Sequence, residues 1–313
     1  MSLEITRRDA RRSALEGLID YAGLFPPASL DMEGAVAEFR AARAGPQAWM
    51  VRRFIVTASR LEELVSHLVP SMEAGEEPWR LSIVFDGGGW PDGQMSDAAT
   101  VRSLVKPLEP AVVADLAEVR LPTDRPAAPD EIAAVAAAAD PAMALFEVPW
   151  QSQSLMEETL ATISRVRTET TRAMGAKIRC GGVTADAFPP AGAVAAFLLE
   201  AARHGLPVKA TAGLHHPHRH TDPETGFTHH GFLNVLAASV LAAGRAAPDQ
   251  VVAALLVEDP ERLTLGPKSI EIDGEAVGAD AVAGARRFLF MGYGSCSFDE
   301  PVADLTGLGV LPL

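Results

Sequence analysis

The sequence predicts an α/β protein folded as a (β/α)8 TIM-type barrel, irregular toward its C-terminal end and preceded by an N-terminal helical arm. Short apolar runs with glycine or proline flanks alternate with longer alanine-rich stretches from residue 51 to residue 243. Strands alternating with helices imply a parallel sheet covered on both faces. Six such units fit before residue 243, and two further strand-like stretches come after it. A doubly wound open sheet is the rival. It expects a glycine-rich phosphate loop after an early strand, and the chain contains neither GxGxxG nor GxxxxGK followed by Ser or Thr.

In chain order, residues 6–20 suit an amphipathic helix capped by Thr6, with Ala14, Leu15, Leu18 and Ile19 as its apolar stripe. Gly23 and Pro26-Pro27 then hold an extended loop over 21–30, because proline stops a helix and restrains the residue before it. That loop either covers one barrel end or packs as an arm. Asp31 caps a second helix over 32–44. Residues 1–48 are therefore assigned to helices and a covering loop, and 49–313 to the barrel, all in one domain. Strands are expected at 51–57, 80–86, 111–122, 144–150, 176–182 and 207–213, with helices at 60–69, 96–106, 129–139, 153–173, 189–203 and 231–243. Beyond these, 249–258 and 279–287 read as helices, 263–277 as a strand or hairpin, and 288–294 as a last strand.

Composition narrows the function classes. Hydrophobic residues make up 48% and charged residues 22%, enough for a large core. The net charge of −14 opposes binding to nucleic-acid phosphates or anionic membranes. Two cysteines imply no disulfide framework and fit a reducing cytoplasm. The start, MSLEITRRDARR, lacks the apolar run of a secretory signal, and no stretch reaches the length of a membrane span. The expected partner is a small anionic or carbonyl metabolite. A homo-oligomer is left open.

Barrels carry their chemistry at the carboxyl ends of strands. That filter selects Asp86, Glu118, Arg120, Glu147, Lys177, Arg179, Cys180, Lys209, Thr211, His215 and His216. In AKIRCGG (176–182), Lys177 and Arg179 alternate with Ile178 and Cys180; in PVKATAG (207–213), Lys209 and Thr211 alternate with apolar neighbours. Alternate residues of a strand face opposite sides. Two adjacent strands thus aim a lysine inward. A neighbouring cation is expected to lower a lysine's pKa and free it to attack a carbonyl as a Schiff base. Arg179, with Arg120, Thr211, Gly181 and Gly182, would bind an anionic substrate, and Glu118, Glu147 or a histidine would move protons. The alternative is that these acids and bases have no role in chemistry and simply neutralise one another inside the barrel.

The spacing and the wording VKATAG resemble the paired-lysine strands of class I aldolases of the deoxyribose-phosphate aldolase type. Those enzymes are barrels with a Schiff-base lysine and a second lysine on the next strand. The resemblance covers two short strands. It implies that Lys177 forms the imine, that Lys209 tunes it, and that no cofactor is required. The histidine-rich loop after Lys209 departs from that family's pattern. Together, LIDYAGLFPPA, AKIRCGG, KATAGLHHP and GSCSFDEP are similar to a bacterial protein family of uncharacterised activity, which implies no reaction.

Six of eight histidines fall between 215 and 230. His216, His218 and His220 alternate, so an extended segment would line them up for zinc or a similar divalent ion in a hydrolase or isomerase. No HExxH or CxxC pair reinforces this. A non-catalytic module that holds an anionic ligand is the third reading. The loop from Leu214 to His230 is long for a βα connection and reads as a lid. GYGSCSFDEP (292–301) reads as a buried final strand and turn, with Asp299 and Glu300 capping the segment after it; Cys296 has no base beside it in sequence.

Overall fold

The computed structural model describes residues 8–72, 75–123 and 125–312. Eight parallel strands close a barrel: β1 (Ile19–Tyr21), β2 (Val51–Thr57), β3 (Trp79–Phe85), β4 (Val112–Arg120), β5 (Met143–Glu147), β6 (Met174–Arg179), β7 (Val208–Thr211) and β8 (Phe290–Ser295). Around the ring β1 is followed by β8, β7, β6, β5, β4, β3 and β2, so the closing seam joins β1 to β8 and β2. Helices α1 (Ala10–Leu15), α2 (Met32–Ala44), α3 (Leu61–Leu68), α4 (Asp92–Val105), α5 (Pro129–Ala139), α6 (Gln153–Thr170), α7 (Ala191–Arg203), α8 (Phe232–Ala243), α9 (Pro248–Leu256), α10 (Ala279–Phe288) and α11 (Asp299–Gly307) complete the chain. No helix among the described residues is long and apolar enough to cross a membrane.

Eight strands are present as expected, but one of them is not the one the sequence pointed to. The arm assigned to 1–48 is not outside the barrel, because Ile19–Tyr21 is its first strand. The first helix stops at Leu15, and Gly17 at φ +54° turns the chain from helix into strand, a conformation that favours glycine. Its N-cap is Asp9, whose side chain accepts from Arg11 and Arg12 N–H; Thr6 lies outside the described residues. Conversely, 263–277 does not enter the barrel. Leu263–Leu265, Ser269–Ile272 and Glu275–Gly278 form a separate antiparallel sheet. Asp273 and Gly274, both at positive φ, make the two-residue hairpin turn that Asp-Gly favours. Asp31 caps α2 as expected, accepting from Gly34 N–H at 2.8 Å.

The apolar core lies between the strands and their helices. Ala176 and Ile178 of β6 face it, while Lys177 between them faces the barrel axis. On the β1–β3 side, Tyr21, Phe39, Phe54 and Trp79 pack ring to ring at 5.0–5.9 Å. The seam is tight at Gly292, where φ is +148° and a Cβ would sit 2.3 Å from the Leu18 carbonyl oxygen. Gly292→Ala is expected to lower the unfolding free energy by about 2 kcal/mol. Urea denaturation checks this, and an unchanged midpoint would show that the seam can relax.

Candidate active site in the barrel interior

Barrel interiors are commonly filled by branched apolar side chains. This one carries a row of charges instead. Arg80 of β3 contacts Asp115 of β4 at 2.9 Å, Asp115 contacts Arg53 of β2 at 3.2 Å, and Arg53 contacts Asp20 of β1 at 3.2 Å. Asp20 pairs closely with Lys209 of β7. Lys209 meets Glu118 of β4 at 2.7 Å, Glu118 meets Lys177 of β6 at 3.0 Å, and Lys177 meets Glu147 of β5 at 2.8 Å. Ser82 donates to Glu118 at 2.6 Å and lies 3.2 Å from the Lys209 amine. The four cations and four carboxylates alternate along the row. Arg53, Asp20, Lys209, Glu118 and Lys177 are buried; Arg80 and Glu147 reach solvent at opposite ends.

The direction of the row comes from the strands. Arg80, Asp115 and Arg53 sit early in their strands and Glu147 ends β5, so the charges run from the amino-terminal end of the barrel to its carboxyl end. Lys177 and Lys209 are register partners on adjacent strands, and Glu147 is in turn the partner of Lys177 and Arg120. Burying so many charges rarely stabilises a fold more than apolar packing would, and perturbed charge clusters gather at functional sites.

The electrostatics correct one expectation. Burial alone would lower the Lys177 pKa, but Glu147 and Glu118 outweigh it and raise it above the ordinary 10.5. The cation beside it is therefore not the dominant influence. Burial alone would likewise raise Glu118, yet Lys209 and Lys177 hold it far below the usual carboxylate range. Lys177 lowers Glu147 as well. Lys177 and both of its carboxylates are therefore charged at neutral pH.

The expected substrate contacts lie at the carboxyl rim. Arg120 and Arg179 end β4 and β6 and are exposed, and Arg179 Nε donates to the Gly181 carbonyl at 2.9 Å. Thr211 is half-buried at the end of β7. Gly181 and Gly213 press their backbones together, since a Cβ on Gly181 would lie 2.9 Å from Gly213 Cα. A Cβ on Gly182 would lie 2.6 Å from the Ala187 side chain and 3.9 Å from the Arg179 guanidinium. These glycines bring the loops after β6 and β7 together. Cys180 faces the core, and burial pushes its thiol up to about 12.

Of the three alternating histidines, only His216 and His220 come together; His218 turns away. His218 is buried and its Nε2 lies 2.9 Å from the Leu263 carbonyl, while His216 and His220 meet edge to face at 4.7 Å. Their segment is bent, so alternation did not set their directions. Among the described residues no three His, Cys, Asp or Glu side chains are grouped to hold a metal ion. His216 contacts Asp304 at 2.7 Å, and His215 contacts Glu300 at 3.1 Å. The loop 214–230 contains a two-strand ribbon, His220–Thr221 with Thr228–His229. Its ends are anchored, His230 Nε2 to the Pro189 carbonyl at 2.8 Å and Arg219 N–H to Asn234 at 2.8 Å.

Sequence reasoning found Lys177, Lys209, Glu118 and Glu147, and missed Asp20, Arg53, Arg80, Asp115 and Ser82. Arg53 carried the same signal as Glu147, a charge within an apolar strand. Asp20 was masked by the helix assigned over it. The chain matches no family model and no curated protein sequence.

Proposed function

We propose that the barrel mouth performs Schiff-base lyase chemistry of the aldolase type on a small carbonyl metabolite that carries an anionic group. The observation that carries this reading is the pair Lys177 and Lys209, in register on adjacent strands and bridged by Glu118. Lys177 is the nearer to the rim, since it also contacts Glu147, which reaches solvent. Lys177 is the imine former and Lys209 the tuning residue.

The raised Lys177 pKa sets the first step. The ammonium must lose a proton before its nitrogen attacks, and Glu147 at 2.8 Å is placed to take it. The amine then adds to the carbonyl carbon, and Glu147 returns the proton as the carbinolamine oxygen leaves as water. The resulting iminium draws in the electron pair of the carbon–carbon bond that breaks, while the hydroxyl on the departing carbon gives its proton to Glu147 and that fragment leaves as a carbonyl; in the reverse direction Glu147 takes the proton of the C–H bond that breaks. Glu118 keeps Lys209 and Lys177 at fixed separation throughout. Arg120 and Arg179 at the rim hold the anionic group.

Borohydride trapping tests this. The protein is treated with a panel of small carbonyl acids and phosphorylated aldehydes, reduced, and weighed intact. One reduced adduct on Lys177, absent from Lys177→Met, is the expected outcome. An unmodified mass across the panel, or an equal adduct on Lys177→Met, would sink the reading. Thermal shifts with the same anions but no adduct would favour the ligand-binding module instead.

A further inference from the structure

A second constellation on the same face of the barrel shares no residue with the lysine row. Cys296 directly follows the last residue of β8, His215 lies in the segment after β7, and Glu300 is in the first turn of α11. Two segments distant in sequence thus bring a thiol, an imidazole and a carboxylate together. The Cys296 sulfur is 3.8 Å from His215 Nε2 and 3.7 Å from Nδ1. Glu300 holds Nδ1 at 3.1 Å. The order nucleophile, base, orienting carboxylate is the arrangement that activates a weak nucleophile. The sulfur is also approached by the backbone N–H of Ala28 from the loop after β1, a donor that favours the thiolate.

We propose that Cys296, His215 and Glu300 form a nucleophilic thiol site that adds to small carbonyl electrophiles. As the sulfur bonds to the carbonyl carbon, its proton passes to His215 Nε2. The imidazolium then returns that proton to the new alkoxide. The product is a hemithioacetal; no atom is lost and nothing is oxidised or reduced. Glu300 holds the ring by Nδ1, which leaves Nε2, 3.8 Å from the sulfur, as the nitrogen that takes the proton.

The surroundings fit a general-base pair rather than a resting ion pair. Burial raises the Cys296 thiol, and Glu300 and Glu38 of α2 add to this. Burial lowers His215 below 6.5, with His216 and His220 acting in the same sense and Glu300 opposing. The other groups facing the site are Tyr21 of β1, Asp299 of α11 and His229 of the ribbon. Near neutral pH the pair is therefore thiol and free imidazole, ready for concerted transfer. Cys180 supplies the internal control: it is fully buried and faces the core.

The test is alkylation by iodoacetamide of the folded protein, read by peptide mass at each cysteine. Cys296 is expected to label alone, with a rate that is level above neutral pH and falls as His215 protonates below 6.5. His215→Asn should slow labelling at pH 7 by about tenfold or more and restore the steep rise with pH of an unassisted thiol. Glu300→Gln, whose native side chain is half exposed, should slow it less and leave the fold intact. Labelling of Cys180 in any variant reports unfolding and moves the decision to the Glu300 variant. Glycolaldehyde should protect Cys296, equally well in Lys177→Met, which separates this thiol from imine chemistry. An unlabelled Cys296, a wild-type rate that tracks thiolate alone, unchanged rates in both variants, or a lack of aldehyde protection would each overturn the proposal.

Discussion

Glu118→Gln is expected to lower the unfolding free energy by about 3–5 kcal/mol, the scale for removing one partner from a buried ion pair. The reason is specific to this residue. Glu118 is the carboxylate that contacts both lysines, and it is 2% exposed. Glutamine fills the space but leaves two ammonium groups on adjacent strands with one fewer counter-charge. The pH dependence separates this from a packing defect. The native Glu118 pKa is depressed, so its contribution is complete above its unfolded value of 4.5 and is lost only as pH falls toward the much lower folded value. Lys177 has the opposite sign: its pKa is raised, so its contribution is complete below 10.5 and is lost as pH rises through the folded value. In the variant Lys177 loses one of the carboxylates that raise it, and it deprotonates at lower pH. The gap between wild type and variant should therefore narrow at alkaline pH, as the variant's Lys177 loses its proton before the wild type's does. Urea denaturation from pH 5 to 10 measures it. A gap that is constant over this range would mean that shape, not charge, made the difference.

The second large effect is expected on chemistry. Glu147→Gln should slow formation of the borohydride-trapped adduct at pH 7 by about 10²- to 10⁴-fold, the range for losing a positioned acid–base group. Stability should change less than for Glu118, because Glu147 reaches solvent and Lys177 keeps Glu118. Glu147 is also the stronger of the two carboxylates that raise Lys177, so the lysine pKa falls in the variant. The trapping rate should then recover in part as pH rises, because more of the amine is already deprotonated. Rapid quench with borohydride at several pH values checks both points. An unchanged rate at pH 7 would remove Glu147 from the proton path and leave Glu118 to take its place.

Alternation made the lysines legible. Lys177 lies between Ala176 and Ile178, and Lys209 between Val208 and Ala210, so a strand of either had to turn its amine away from the apolar core. Glu118 and Glu147 were legible for the same reason. The Lys177 pKa was not. Sequence showed the neighbouring cation, while the two carboxylates that outweigh it arrive from β4 and β5, 59 and 30 residues upstream. The triad of Cys296, His215 and Glu300 had no local signal at all, because 81 residues separate the cysteine from its base. The histidine alternation misled because a period of two holds only in an extended strand, and the segment carrying His216, His218 and His220 bends.

By itself, then, the sequence determined what depends on local periodicity: the alternation of strands and helices, the inward lysines and carboxylates, and the acidic balance that disfavours nucleic acid. It could not determine which strand closes the ring. Ile19–Tyr21 is three residues long, too short to show a period, and becomes a strand because β2 and β8 satisfy its backbone hydrogen bonds on either side. Residues 263–277 had the better local strand signal and were left outside, because their Asp-Gly turn folds them back on themselves as an antiparallel sheet. Tertiary structure also decided the charges. Eight ionised side chains from seven strands neutralise one another only when the barrel is closed, and pairing of that kind depends on distances in space that no spacing along the chain encodes.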